Sequence, residues 1–152
     1  MQKRVVVTGM GVVAPNGIGI DAFLIAIMNG QSGVKFDQQL ADLHFSCQIS
    51  AKPEVTEALK LQYLTELELR NFNSSGILYG VIAGMDAWKD AGLSANIIEP
   101  DWDSGTIFGT GTSGIEKFRE SIYKIDDLQT RRLGSTAVAQ TMNSGVSAYL
   151  AR

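Results

Sequence analysis

Arg4-Val-Val-Val-Thr-Gly-Met-Gly-Val-Val-Ala-Pro-Asn-Gly17 and Thr106-Ile-Phe-Gly-Thr-Gly-Thr-Ser-Gly114 decide the fold class of this 152-residue chain. In each, a short apolar run rich in β-branched residues stops at closely spaced glycines, which allow positive φ angles and close backbone approach. A helical pattern follows each loop, so both read as strand, glycine loop, helix. Repeated units of that kind predict an α/β protein with parallel sheet character, and they place ligands at the carboxyl ends of the strands.

Working outward from the first loop, Asp21 is placed to cap a helix carrying Phe23, Leu24, Ile27 and Met28 at helical spacing, with Asn29-Gly30 as its stop. Residues 36–52 read as irregular or short elements. Residues 54–71, with Val55, Leu59, Leu61, Leu64, Leu67 and Leu69 among polar residues, read as helical in part. Ser74 or Ser75 then starts a better-defined helix that Gly92 ends. Glycines cost roughly 1 kcal/mol each against alanine in a helix interior. Small residues at Gly76, Gly80, Ala83, Gly84, Ala87 and Ala91 therefore predict a buried helix lying tightly on a sheet or a neighbouring helix.

Composition narrows the function. At 45% apolar and 19% charged residues the chain has material for one globular domain with a core, and no linker or charge run divides it. A formal charge of -3 argues against nucleic-acid binding, which needs a concentrated positive surface. The single cysteine, Cys47, excludes an internal disulfide framework and fits a reducing compartment. No stretch approaches the about 18 apolar residues of a membrane span, and the amino terminus lacks the apolar region of a signal peptide. The expectation is a cytoplasmic protein with no nucleic-acid or membrane partner.

Candidate chemistry is sparse. Gly9-Met-Gly-Val-Val-Ala14 and Gly109-Thr-Gly-Thr-Ser-Gly114 fit dinucleotide fingerprints after strands, but Pro15-Asn-Gly17 extends the first loop before its helix can begin, and Asp126 and Asp127 follow a helical pattern where the fingerprint wants a strand. A nucleotide-binding module is thus a minor alternative. His44 and Cys47 are too few for zinc, so no metal and no cofactor is expected. Ser113 is not flanked as a hydrolase nucleophile is, and Asp101, Asp103, Asp126 and Asp127 suit turns and caps.

The motifs RVVVTGMG (Arg4 to Gly11), NGQSGV (Asn29 to Val34), AWKDAGL (Ala87 to Leu93), IFGTGTSG (Ile107 to Gly114) and MNSGVSA (Met142 to Ala148) occur in the order found in β-ketoacyl-acyl-carrier-protein synthases. The chain resembles that family along its whole length, and its pattern is nearest the bacterial type I elongating branch. The resemblance implies a thiolase-like layered α-β-α-β-α fold, with residues 1–152 as most of the first half and as an amino-terminal portion ending before the catalytic cysteine segment. It implies an acyltransferase of fatty-acid or polyketide and polyene biosynthesis, elongating acyl chains by decarboxylative Claisen condensation with malonyl-acyl-carrier protein. It implies no catalytic residue within this chain, because the family's cysteine and two histidines match neither Cys47 nor His44.

The resemblance also assigns binding positions. Thr112 falls where the family sets acyl-chain length beside the tunnel, and Arg131-Arg132 fall where basic residues meet the acyl carrier protein, whose substrates hang on phosphopantetheine; adjacent guanidinium groups suit carboxylates and phosphates. Glu68 and Asn71 stand where the family carries further docking cations, leaving only Arg70 nearby. A homodimer, or a heterodimer of ketosynthase and chain-length factor, is the expected assembly, and a non-catalytic chain-length factor is the alternative reading. A helix from Thr136 to Leu150 is expected to leave Val138, Met142, Val146, Tyr149 and Leu150 unburied in this chain alone.

Overall fold

The computed structural model describes residues 3–93 and 101–151. In chain order it holds a hairpin of β1 (Val13–Ala14) and β2 (Gly17–Ile18), helix α1 (Ile20–Met28), and a second antiparallel pair, β3 (Lys35–Phe36) and β4 (Ile49–Ser50), with α2 (Gln38–Asp42) between its strands. Short helices α3 (Glu57–Lys60) and α4 (Glu66–Leu69) lead to the long α5 (Ser75–Asp90). Helix α6 (Ile115–Asp126), a 3-10 turn (Thr130–Arg132), α7 (Ala137–Thr141) and α8 (Gly145–Leu150) complete the order.

Helix α5 is the axis of packing. It buries Ile77, Leu78, Val81 and Ile82 with Leu64 and Val146, and Val13, Ile18, Tyr63, Phe72, Tyr149 and Leu150 pack around them. The small residues explain how close its neighbours come. A Cβ at Gly80 would lie 2.8 Å from Val146 Cγ1 and one at Gly84 2.5 Å from Leu150 Cδ1, so α8 rests directly on the helix. Further along, a Cβ at Gly11 would lie 1.9 Å from the Ala83 carbonyl oxygen and one at Gly9 2.2 Å from that of Ala87. The glycines of the first loop therefore serve a backbone-on-helix contact, reinforced where the Met10 amide donates to Asp90 Oδ2 at 2.9 Å. Tyr63 adds a polar tie, its hydroxyl donating to Asp86 at 2.7 Å; burial first, then the Asp86 carboxylate, pushes the phenol up to about 12.

Three expectations are corrected. The predicted strands at residues 4–8 and 106–109 run without ladder partners among the described residues, and the sheets there are two antiparallel pairs rather than a parallel sheet. Without a partner, their side chains stay exposed: Val5 at 95% and Ile107 at 100%. Helix α1 forms and stops at Asn29-Gly30 as expected, but Gly19 rather than Asp21 is its N-cap, and Leu24, Ile27 and Met28 face outward while Ala26 is buried. The expected helix from Thr136 to Leu150 breaks at Met142, whose backbone is extended. The break turns Val146 into the core and half-buries Tyr149 and Leu150, leaving only Val138 and Met142 of that set exposed.

A buried polar cluster holds α6 and α7 against the turn before α5. Lys117 is 1% exposed, and its ammonium donates to the Asn71 carbonyl at 2.8 Å and to Glu120 Oε1 at 3.3 Å. Gln140, fully buried, donates to the same Asn71 carbonyl at 3.3 Å and to Thr136 Oγ1 at 2.8 Å, while its own oxygen accepts from the Asn73 amide at 2.7 Å. Asn71 presents that carbonyl from a left-handed backbone, φ 60°. Buried polar groups of this kind are tolerated because each is satisfied.

Two stability predictions follow from the backbone. Gly11→Ala should destabilise by several kcal/mol, since its methyl meets main chain that cannot swing aside, whereas Gly30→Ala, with open space but φ +63°, should cost only about 1 kcal/mol. Leu128 closes α6 in the left-handed region at φ 58° while 89% exposed. Leu128→Gly should therefore raise the unfolding free energy by about 1 kcal/mol in urea melts, with no gain counting against strain at this cap.

Candidate functional site

The second glycine loop turns into α6 at Gly114, the residue that has to be glycine: φ is 65°, and a Cβ there would lie 1.9 Å from the Gln140 carbonyl oxygen. The turn opens a cleft of about 680 Å³ between the loop with the first turns of α6 and the start of α5 at Ser75 and Gly76. Thr112 stands exposed on its lining, its carbonyl accepting from Thr110 Oγ1 at 3.0 Å. Ser113 donates to the Met142 carbonyl at 3.2 Å, an acceptor that cannot take a proton, so it is not set up as a nucleophile with a base.

Farther along the wall, Ser75 donates to the Glu116 carboxylate, and Arg119 lies with its guanidinium 5.4 Å from the Tyr123 ring centroid and its Nε donating to the Tyr123 hydroxyl at 3.2 Å. The cation is thus held along an aromatic face rather than projecting free. Glu120 lies deeper. Burial raises its carboxyl, but hydrogen bonds from Lys124, from Asn73 Nδ2 at 2.8 Å and from Lys117 outweigh that and hold it at about 2.

Arg131 and Arg132 sit at the opposite end of α6, which at 12 residues is roughly 18 Å long. Both are exposed. Arg132 donates to Gln129 Oε1 at 3.0 Å, and Arg131 has no hydrogen bond or ion pair among the described residues. The sequence-derived binding positions therefore divide between the two ends of one helix, Thr112 at the cleft and the arginines beyond the far end. The positions lacking docking cations have other work. Glu68 completes the capping box of α4 with Thr65, and Asn71 turns its carbonyl to Lys117 and Gln140.

The minor candidates resolve into local roles. Asp101 accepts from the Asp103 amide at 3.0 Å and from Ser104 Oγ at 2.5 Å, a turn in which the Ser104 hydroxyl leads in lowering its pKa. Cys47 and His44 are exposed, and no metal-binding group of three or more His, Cys, Asp or Glu occurs among the described residues. No helix there is long and apolar enough to cross a membrane. Sequence reading missed Lys117, Glu120 and Gln140. The Lys117, Glu120, Lys124 spacing of three and four was a visible signal for the first two, since such pairs meet on one helix face. Nothing local marked Gln140.

Glu120 gives a pH prediction. Its folded pKa lies below the ordinary carboxylate value of 4.5, so its contribution to stability is present above pH 4.5 and is lost as pH falls toward about 2. Glu120→Gln should flatten the fall in melting temperature over that window; an unchanged acid slope would remove Glu120 from the network.

Comparison with known proteins identifies the family of the chain. Residues 2–152 match the family described as Beta-ketoacyl synthase, N-terminal domain. The chain is 29% identical over 98% of its length to 3-oxoacyl-[acyl-carrier-protein] synthase 1 of Escherichia coli, of which it covers 36%. A β-ketoacyl synthase from Burkholderia phymatum superposes with TM-score 0.75 at 21% identity, covering 98% of this chain and 36% of that one. The ishigamide ketosynthase/chain length factor does so with TM-score 0.72 at 18% identity, covering 97% and 36%. These neighbours carry the thiolase-like fold, so the fold class expected from the sequence holds even though the described residues form no parallel sheet. The chain spans about a third of the length of the relatives it matches, and by the family match over residues 2–152 it belongs to the β-ketoacyl synthases as their amino-terminal domain.

Proposed function

We propose that residues 1–152 are the amino-terminal portion of an acyltransferase that elongates acyl chains by decarboxylative condensation with malonyl-acyl-carrier protein, in fatty-acid or polyketide biosynthesis. The observation that carries the reading is the family match along the whole chain, whose glycine loop here forms the wall of an open cleft with Thr112 on it. The parent enzyme moves an acyl group from the carrier thiol to a cysteine thiol. Loss of carbon dioxide from the malonyl group then leaves a carbanion that attacks the thioester carbonyl and expels the cysteine thiolate, giving a 3-oxoacyl carrier. None of those reacting groups belongs to this chain. Its part is to bind: Thr112 limits the acyl chain, and Arg131 and Arg132 meet the acidic carrier. The working state is a cytoplasmic dimer.

A second reading is a non-catalytic chain-length factor paired with a ketosynthase, an assembly named by one of the structures that share the fold. Both readings use the same cleft and differ in whether the chain's own polypeptide carries the cysteine.

The full-length protein, supplied with acyl- and malonyl-loaded carrier, should release carbon dioxide and form the 3-oxoacyl product. Product only in the presence of a second, cysteine-bearing subunit would select the chain-length factor, and no product with any such partner would overturn both. Thr112→Phe should lower kcat/KM for the longest accepted acyl chain on the order of 10-fold while sparing short ones. Equal loss for all lengths would remove Thr112 from chain-length control.

A further inference from the structure

Arg131 and Arg132 stand on a 3-10 turn of three residues, an element too short to fix its own orientation. Its internal bonds are the Arg132 amide to the Gln129 carbonyl at 2.8 Å and the Leu133 amide to the Thr130 carbonyl at 3.2 Å. The chain reaches it from α6 through Leu128, which is exposed and left-handed. A side chain ties the turn back to the helix: Lys124 Nζ donates to the Arg132 carbonyl at 2.9 Å. The Lys124 side chain is only 22% exposed, and its ammonium also donates to Glu120. Glu120 in turn accepts from Asn73 and from the buried Lys117, so the hold on the turn continues into the buried polar cluster.

From this chain of contacts we propose that Lys124 is a positioning residue for carrier docking: it does not touch the carrier but fixes the turn from which Arg131 and Arg132 do, with Glu120 as its anchor. The proposal rests on the docking reading above. It makes Lys124 unlike the two arginines although all three are cations, because its charge is already met by Glu120 while theirs are presented to solvent. Adjacent guanidinium groups gain from a fixed frame, since bidentate pairing with carboxylates depends on orientation as well as charge.

Sign separates positioning from bulk electrostatics. Lys124→Met removes a positive charge and Glu120→Gln removes a negative one, so a simple field acting on an acidic carrier predicts weaker binding for the first and tighter binding for the second. Positioning predicts weaker binding for both. The experiment is surface plasmon resonance of the full-length protein with acyl carrier protein from Escherichia coli as the probe, at two ionic strengths, alongside steady-state kinetics. Both variants should lose affinity on the order of 10-fold, the scale of one charge-assisted hydrogen bond. The loss should appear in KM for the carrier rather than in kcat, and Lys124→Arg, which can still donate to the carbonyl, should restore it. Arg131→Ala with Arg132→Ala serves as the reference. If that pair leaves affinity unchanged, or the wild type does not bind, the docking reading falls and this inference with it. If the pair weakens binding but Glu120→Gln tightens it, or Lys124→Met leaves it unchanged, the inference alone is overturned.

Discussion

Everything described depends on α5 being approachable to backbone distance. Leucines in place of Gly80 and Gly84 would hold α8 off by a side chain, and any Cβ at Gly9 or Gly11 would strike the carbonyls of Ala83 and Ala87. The helix accepts glycines that weaken it locally because the contacts they permit are made over its whole length. Dispersion and burial scale with such contacts, and the interior gains more from close packing than the helix loses in propensity.

The second constraint is polar. One carbonyl, that of Asn71, receives two buried donors from different helices, Lys117 of α6 and Gln140 of α7. Removing either donor would leave the Asn71 carbonyl with one partner in place of two, and removing the left-handed turn at Asn71 would withdraw the acceptor from both. Networks of this kind specify one arrangement rather than adding much net stability. That arrangement places the mouth of the cleft and the arginine turn at the two ends of a single rigid helix, so the two binding functions proposed for the chain share one strut.

The sequence made the helices legible because their signals are local. Asn29-Gly30 and Gly92 end helices as glycine stops do, with φ +63° and +73° at the glycines, and the small residues of α5 foretold its crowding. The two extended runs are a different case. An apolar β-branched run states that a segment can be extended, but only a partner makes it a strand, and residues 4–8 and 106–109 find none among the described residues. The polar cluster was missed because its acceptor is a main-chain atom, invisible to residue type, and because Gln140 and Asn71 are 69 positions apart. The positions assigned to Thr112 and to the arginines came from resemblance, not from any pattern of charge or spacing, and the structure supplies their surroundings: an open cleft for one, an exposed turn for the others.

The central helix and its cover are far apart in the chain. Val81 is complete on the ribosome long before Val146, 65 residues later, which packs in the same cluster. At about 5–20 residues per second, roughly 3 to 13 seconds pass between them. Throughout that interval Ile77, Val81 and Ile82, each no more than 1% exposed at the end, have no α8 to cover them. For those seconds a newly made chain carries an uncovered apolar stripe on α5, the kind of transiently exposed surface that makes folding intermediates prone to aggregate.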